Sequence, residues 1–230
     1  MTWDPRKLDP EWPFDLWSTP FELDADSVAL IVIDMQGSQM KLRPNTIEQY
    51  PQLAEYWEQR MDEVVVSNIQ RLIAFFRERD LKIVYTRNGN VTATGDEVTD
   101  RLRKKFVDGR PQTHPGQPEY EVDERLAPRN VDLVVDKLTS GAFTAGMLDH
   151  ALHNMGIKNL VHVGILTDAC VFGTARAAAE LGYNSLICED ACATLTQRAH
   201  DEALLMHARI FGRVGSTDDV LSELAPNERT

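Results

Sequence analysis

Four residues of chemically reactive types lie at or just after short apolar runs of this sequence. They are an acid, a guanidinium, an amine and a thiol: Asp34, Arg87, Lys137 and Cys170. The preceding runs, at 28–33, 81–85, 131–135 and 160–166, are rich in Val, Ile and Leu. If these runs are neighbouring parallel strands, their carboxyl ends meet at one edge of a sheet, where open α/β sheets bind ligands. The sequence therefore predicts a polar site at that edge.

An acid, an amine and a thiol together suit nucleophilic acyl transfer. A cysteine at a helix start, close to an ammonium such as that of Lys137, is expected to have a lowered pKa. Asp34 could accept the thiol proton and return it to a leaving amine. Backbone amides at the helix start could stabilise the oxyanion of a tetrahedral intermediate. This chemistry cleaves an amide through an acyl-enzyme and needs no metal.

Each residue also has an ordinary structural interpretation. Cys170 alone could fill the core, Asp34 could serve a turn, and Lys137 could be a solvated surface lysine. Cys188 and Cys192 are interpreted as core residues, because they lie in or near a predicted strand. The joint placement of the other three at strand ends favours the site.

The runs must alternate with helices for this edge to form. Helical periodicity is present at 61–79, 170–181 and 198–208, and in a segment that Thr144 would cap and Gly156 would end. Further strands are predicted at 185–188 and near 210–214. Continuous apolar strands alternating with helices predict an α/β fold, a three-layer α/β/α sandwich with a mostly parallel sheet of about six strands. The long polar stretch 87–126 is predicted to form a lid or rim.

Composition bounds the organisation and the partners. Residues 1–26 hold three of the four tryptophans and four prolines, which predicts an N-terminal arm without regular helix, packed on its own domain or on a neighbouring subunit. Residues 27–230 form the α/β domain. With 24 basic and 36 acidic residues, the net charge of −12 disfavours nucleic acid and anionic membranes as partners. No run is long enough to span a bilayer, no signal peptide is recognisable, and three cysteines make no disulfide framework. We expect a cytoplasmic protein.

Three motifs resemble the isochorismatase-like cysteine hydrolases. They are ALIVIDMQ at 29–36, KLTSGAF at 137–143 followed by Leu148, and GILTDACV at 164–171 followed by Thr174 and Ala175. Their order and spacing match together over roughly residues 27–220. The resemblance implies an amidohydrolase, similar to those acting on small amides, ureides or carbamoyl compounds, that releases ammonia without a cofactor.

The resemblance also implies roles for individual residues. Cys170 would be the nucleophile, Asp34 the proton acceptor and donor, and Lys137 the group that stabilises the thiolate. A cis peptide between Ile165 and Leu166 would turn the backbone N–H groups of Leu166 and Cys170 toward the oxyanion. Members of the family that lack the cysteine cleave a vinyl ether, so the presence of Cys170 favours C–N hydrolysis.

Departures from the family pattern bear on the substrate. Gly37-Ser38-Gln39 replaces a segment that often carries an aromatic residue. An Asp-x-His-x-His metal motif of some members is missing from the sequence, which predicts no metal. His207 stands where biuret-type members place a glutamine, which predicts another substrate.

Candidates for substrate binding are less specific than the triad. Arg87 and Arg213 could bind a carboxylate or form ordinary salt bridges. Gln39 could line the pocket, Phe143 could line it or belong to the core, and His207 could be a pocket hydrogen-bonder or a helix-face residue. We expect a small-molecule substrate and a homodimer or homotetramer.

Two other functions stay open at this point. A vinyl-ether hydrolase would use Asp34 as its acid, with Cys170 a bystander. A catalytically silent binding module on the same fold would be consistent with the altered 37–39 segment, although no Gly-rich phosphate loop follows a strand.

Overall fold

The apolar runs form the strands of a parallel sheet, as their continuous Val, Ile and Leu content predicts. The structure is a computed structural model, and it describes residues 3–100 and 113–225. Within those ranges six strands pair in the order β3-β2-β1-β4-β5-β6, each pair parallel. Their bounds are β1 Val28–Ile33, β2 Lys82–Asn88, β3 Leu133–Lys137, β4 Asn159–Ile165, β5 Asn184–Ala193 and β6 Arg213–Gly215.

Helices cover both faces of the sheet. They are α1 Pro5–Leu8, α2 Phe14–Trp17, α3 Gly37–Met40, α4 Pro44–Gln49, α5 Pro51–Gln59, α6 Val66–Glu78, α7 Leu148–Asn154, α8 Phe172–Glu180, α9 Gln197–Met206 and α10 Thr217–Glu223. Three π-helical turns, Arg60–Val65, Thr167–Val171 and His207–Phe211, adjoin α6, α8 and α9. Short 3₁₀ turns lie at Ala25–Ser27, Pro118–Tyr120, Glu124–Leu126 and Ala142–Ala145.

Alternate residues of β1 enter two separate hydrophobic cores. Leu30 and Val32 pack in the first core, which includes the apolar side of α6. Ala29, Ile31 and Ile33 pack in the second, with α7 and α8. All six residues of β1 are buried because both faces of a central parallel strand are covered. This confirms the predicted three-layer α/β/α fold.

Several element boundaries differ from the predicted ones. The helix expected at 61–79 is preceded by α5 and passes through the π-helical turn Arg60–Val65. Thr144 is not an N-cap, because its hydroxyl donates to the Gly141 carbonyl within a 3₁₀ turn and α7 begins after Met147. Gly156, with φ +72°, follows the end of α7 as predicted. The sheet is built from the predicted runs, with strand ends displaced by a few residues.

The N-terminal arm contains two single-turn helices, so the expectation that its prolines forbid helix is wrong. Pro5 occupies the first turn of α1, where a missing N–H costs nothing. Phe14 is buried, and the Arg209 guanidinium lies 5.1 Å from the Trp12 ring. Arg209 also pairs with Asp9. The described arm therefore packs on its own domain, while the predicted boundary at 26/27 stays a prediction.

The stretch 87–126 is only partly described. Its strand portion ends at Asn88, its 3₁₀ turns lie at Pro118–Tyr120 and Glu124–Leu126, and 101–112 fall outside the described residues. In the described ranges, no helix has the length and apolar character needed to cross a bilayer.

Candidate active site

Asp34 and Lys137 meet at the carboxyl edge of the sheet. Asp34 follows β1 directly and Lys137 ends β3, with β2 between them. The Lys137 Nζ lies 2.7 Å from Asp34 Oδ2, and the two side chains are only 0% and 4% exposed. Asp34 has φ +54°, a conformation rare for non-glycine residues and common at functional sites. The two charges thus form a buried ion pair, as strand-end placement predicts.

Hydrogen bonds hold both members of this pair. The Thr86 hydroxyl, from β2, donates to Asp34 Oδ1 over 2.7 Å. Lys137 Nζ also donates to the Thr139 carbonyl over 3.0 Å. Since each Asp34 oxygen accepts one bond, the carboxylate is fixed in orientation. Sequence reasoning missed Thr86, although a polar residue inside an apolar strand, one position before Arg87, was a usable signal.

Cys170 lies half-buried beside this pair, in the π-helical turn that follows β4. Its thiol is close enough to Asp34 and Lys137 for both charges to act on it. Burial, and then the negative charge of Asp34, raise the pKa of the thiol to about 12, and Lys137 only partly opposes them. The expected lowered pKa is therefore wrong, because desolvation and the carboxylate outweigh the ammonium and the helix start. Burial and the Asp34 charge thus disfavour the thiolate form of Cys170.

The backbone before Cys170 has the geometry that the family resemblance implies. The peptide bond between Ile165 and Leu166 is cis. The Leu166 carbonyl accepts hydrogen bonds from the backbone N–H groups of Ala169 and Val171. An oxyanion-binding role for the N–H groups of Leu166 and Cys170 stays a prediction at this point.

Gln36 is a second residue that sequence reasoning missed. It is fully buried, its Nε2 donates to the Tyr120 carbonyl over 2.6 Å, and its Oε1 accepts from the Asn88 backbone over 2.7 Å. The side chain therefore ties the turn after β1 to the end of β2 and to the turn at Pro118–Tyr120. A glutamine two residues after Asp34 was its only sequence signal.

Arg87 does not offer a free cation. Its Nε and Nη2 donate to the Asp136 carboxylate over 2.7 and 3.0 Å, and its Nη1 pairs with Glu121. Arg87 and Asp136 are register partners on β2 and β3. The ordinary salt-bridge interpretation therefore describes Arg87, and carboxylate binding by it loses support.

His207 lies away from the Asp34–Lys137 pair, so its predicted role in the pocket loses support. It is fully buried, and its Nε2 lies 3.1 Å from the carbonyl of Ser185, near the amino end of β5. Arg213, in β6, is held by Glu223 and the Phe21 carbonyl. Both residues therefore lie toward the amino edge of the sheet, away from Asp34.

The remaining two candidates have different environments. The Phe143 ring packs 5.7 Å from that of Tyr183 and belongs to the edge of the second core, which matches its core interpretation. Gln39 lies in α3, which begins three residues after Asp34. Pocket lining by Gln39 stays a prediction.

The other two cysteines are core residues, as predicted. Cys188 and Cys192 are fully buried in β5, and burial raises the pKa of both thiols. No group of three His, Cys, Asp or Glu side chains within 3–100 and 113–225 is arranged as metal ligands.

Comparison with known proteins identifies the family. The isochorismatase domain family matches residues 28–219. This match covers most of the chain, so the protein belongs to the isochorismatase family, which confirms the resemblance. The matched range contains every residue of the site described above.

Individual relatives are similar along nearly their whole length. The ureidoacrylate amidohydrolase RutB of Variovorax paradoxus is 29% identical over 225 residues, covering 90% of this chain and 85% of the relative. A cysteine hydrolase from Pseudomonas syringae pv. phaseolicola superposes with a TM-score of 0.72 at 24% identity, covering 90% and 96% of the two chains. The N-carbamoylsarcosine amidase from Thermoplasma acidophilum superposes with a TM-score of 0.64 at 25% identity, covering 84% and 97%.

Proposed function

We propose that this protein is a cysteine-dependent amidohydrolase that cleaves a C–N bond of a small ureide or carbamoyl compound through a thioester and releases ammonia. The observation that carries the proposal is the buried Asp34–Lys137 ion pair beside the Cys170 thiol. The chain is a hydrolase of carbon–nitrogen bonds other than peptide bonds, the class to which its amidohydrolase relatives belong. The nucleophile, the thioester and the released ammonia are the proposal.

The first half-reaction begins from a thiol, a carboxylate and an ammonium. As the substrate enters, the Cys170 proton passes to Asp34, and the sulfur attacks the carbonyl carbon. The site keeps the same total charge, and Lys137 then stabilises the thiolate. The backbone N–H groups of Leu166 and Cys170 bind the developing oxyanion. Collapse of this intermediate breaks the C–N bond, and Asp34 returns its proton to the leaving nitrogen.

The second half-reaction regenerates the thiol. Water attacks the thioester carbonyl while Asp34 takes one of its protons. The C–S bond breaks, and the sulfur leaves as a thiolate that Asp34 reprotonates. A thiol with a pKa raised to about 12 stays protonated in the free enzyme. In this scheme its proton moves to Asp34 only as the sulfur attacks the substrate.

The substrate class follows from the relatives. RutB of Variovorax paradoxus is named for ureidoacrylate, and the Thermoplasma acidophilum enzyme for N-carbamoylsarcosine. Both names describe a carbamoylated nitrogen, so we propose a small compound of that kind as the substrate here. A homodimer or homotetramer, a cytoplasmic location and pocket contacts from Gln39 belong to the same proposal.

Ammonia release from a panel of ureides and carbamoyl compounds tests the proposal. The panel contains ureidoacrylate, carbamoyl amino acids, biuret, maleamate and nicotinamide. Cys170→Ala should lose at least about a thousand-fold in kcat while unfolding at the wild-type temperature. Cys188→Ala is the matched control, since it removes a buried thiol of β5 outside the site and should keep activity.

Trapping the intermediate separates this mechanism from its rivals. Quenched wild-type enzyme should carry the acyl mass on Cys170, and Cys170→Ala should carry none. Turnover retained in folded Cys170→Ala would overturn the cysteine mechanism. Vinyl-ether cleavage that survives alkylation of Cys170 would support the vinyl-ether hydrolase instead, and binding without turnover would support a silent module.

A further inference from the structure

A buried polar network outside the triad holds the turn that carries Cys170. The His200 Nδ1 lies 2.9 Å from the Thr167 hydroxyl, and the Arg60 Nη2 lies 2.9 Å from the His200 Nε2. Thr167 and His200 are 0% and 1% exposed. Thr167 begins the π-helical turn whose fourth residue is Cys170. The three side chains come from three separate elements and none belongs to the mechanism above.

The network admits one arrangement of protons. A guanidinium only donates, so the His200 Nε2 must accept from Arg60. The proton of the neutral ring is then on Nδ1, which donates to the Thr167 hydroxyl oxygen. Burial, and then the Arg60 charge, lower the pKa of His200 to about 3, so the ring is neutral at pH values near neutrality. The direction of both hydrogen bonds is therefore defined.

Arg60 is itself anchored in an irregularity of β5. His162 pairs with Ile187 and Gly164 with Cys192, so one residue of β4 opposes four of β5. The Arg60 Nη2 donates to the Glu189 carbonyl over 2.9 Å and its Nε to the Cys192 carbonyl over 3.0 Å. A bulge of this kind leaves backbone groups without ladder partners, and bulges recur beside active sites. Arg60 donates to two carbonyls at this bulge and connects it to His200.

A second contact ties the same turn to the residues after β5. The Thr194 hydroxyl donates to Asp168 Oδ1 over 2.6 Å. Asp168 is the residue that follows Thr167 in the turn. Two consecutive residues of the turn are thus bonded to parts of the chain that are remote in sequence. These bonds hold the start of the single turn that joins Thr167 to Cys170.

We infer that Arg60 and His200 are positioning residues for the nucleophile: they hold the Thr167 hydroxyl and thereby keep Cys170 in register with Asp34. The inference rests on the proposed function, since it assumes that Cys170 is the nucleophile. Neither side chain needs to contact the substrate. A small displacement of a reacting group slows the chemical step strongly and weakens substrate binding little. We therefore expect a lower kcat and a nearly unchanged KM.

Paired substitutions at both ends of the Thr167 bond test this inference. His200→Gln keeps an amide near the Arg60 side of the ring and removes the donor to Thr167, whereas His200→Asn keeps a donor near the Nδ1 position. We expect His200→Gln and Thr167→Val each to lower kcat about ten- to hundred-fold with KM changed less than about threefold. Thr167→Ser retains the hydroxyl and should recover most of the activity, as should His200→Asn in part. The double variant should lose no more than either single variant.

Alkylation of Cys170 supplies a readout that does not depend on turnover. A turn released from the network moves the thiol away from Asp34 and toward solvent, so iodoacetamide should modify Cys170 faster at pH 8.5 while kcat falls. His207→Gln is the matched control, because it removes another buried histidine, beyond the end of α9 and toward the opposite edge. It should lower the unfolding temperature and leave kcat and the Cys170 alkylation rate unchanged.

The outcomes distinguish this inference from the proposed function. Folded His200→Gln and Thr167→Val proteins with wild-type kcat and alkylation rates would overturn it, as would equal changes in His207→Gln. If His200→Gln does not fold, the Thr167→Val and Thr167→Ser pair decides. If Cys170→Ala stays active, the proposed function has failed, and the alkylation rates still report whether the network positions Cys170.

Discussion

The two edges of the same sheet both carry ion pairs, yet only one is built for chemistry. At the carboxyl edge, the Lys137 and Asp34 side chains are 0% and 4% exposed and a thiol lies beside them. Toward the amino edge, the Arg213 and Glu223 side chains are 30% and 21% exposed, and Glu223 also accepts from the Leu23 backbone. A charge pair taken almost fully from water is costly to maintain. Burial beside a thiol therefore separates the candidate site from a structural ion pair.

The two buried histidines differ in the same way. His207, toward the amino edge, has its Nε2 next to the Ser185 carbonyl near the start of β5. His200 uses both ring nitrogens and connects Arg60 to the turn of Cys170. Residue type does not distinguish these histidines. What each ring bonds to decides whether a substitution should affect stability alone or turnover as well.

Removing Lys137 should have the largest effect. Lys137→Met leaves the Asp34 carboxylate buried without its partner, which costs about 3–5 kcal/mol for pairs of this kind. We expect at least about a thousand-fold loss of kcat, since the thiolate also loses its cation. Urea unfolding and ammonia release measure the two effects.

Arg213→Met is the control for Lys137→Met. Its ion pair is partly solvated, so we expect about 1 kcal/mol or less of destabilisation and wild-type kcat. A Lys137→Met protein with ordinary stability and turnover would remove the distinction between the two edges.

Substituting one glycine near each edge of the sheet should lower the stability in both cases and so isolates the effect on kcat. An added Cβ would lie 2.1 Å from the Ile33 carbonyl oxygen at Gly164, which has φ +116°, and 1.9 Å from the Ser185 carbonyl oxygen at Gly212. Both Gly→Ala substitutions should cost about 2–4 kcal/mol, because backbone must move. Only Gly164→Ala should also lower kcat at a temperature where both proteins are folded. Equal kcat values in the two variants would contradict this.

Thr86→Val tests a hydrogen bond to the site with a smaller expected effect. The hydroxyl donates to Asp34 Oδ1, so its loss should lower kcat about tenfold and stability by about 1–2 kcal/mol. Ser185→Ala is the counterpart, because it removes a buried hydroxyl that donates to the Ala175 carbonyl near the amino edge. It should cost similar stability without lowering kcat. An equal fall in kcat in Ser185→Ala would contradict a specific role of the Thr86 hydroxyl.

The smallest effect concerns stability in acid. Burial lowers the pKa of His207 to about 4. Below about pH 6.5, His207 is therefore protonated in the unfolded chain but still neutral in the folded chain. The stabilisation from neutral His207 is complete above that pH and is lost as the pH falls toward 4, by about 1 kcal/mol per pH unit. In His207→Gln, the free energy of unfolding should therefore fall less between pH 6.5 and 5. Identical pH slopes in urea unfolding would contradict this assignment.

Sequence patterns determined the framework and placed Asp34, Lys137 and Cys170 at one edge of the sheet. Continuous Val, Ile and Leu runs are a local property, and they identified the strands that became β1, β2, β3 and β4. Because carboxyl ends of parallel strands share an edge, Asp34 and Lys137 could be placed together although 103 residues separate them. The family motifs added the cis peptide before Leu166, which local propensity does not reveal.

Only the tertiary structure decided which partners each polar group has. The Cys170 pKa is raised because packing buries the thiol and sets Asp34 beside it, and neither the depth nor the distance is written in the local sequence. Arg87 and His207 carry the residue types of ligand-binding groups, yet Asp136 and the Ser185 carbonyl engage them. Arg60 reaches His200 across 140 residues. Strand patterns depend on neighbours along the chain, whereas burial and hydrogen-bond partners depend on segments that meet only after folding.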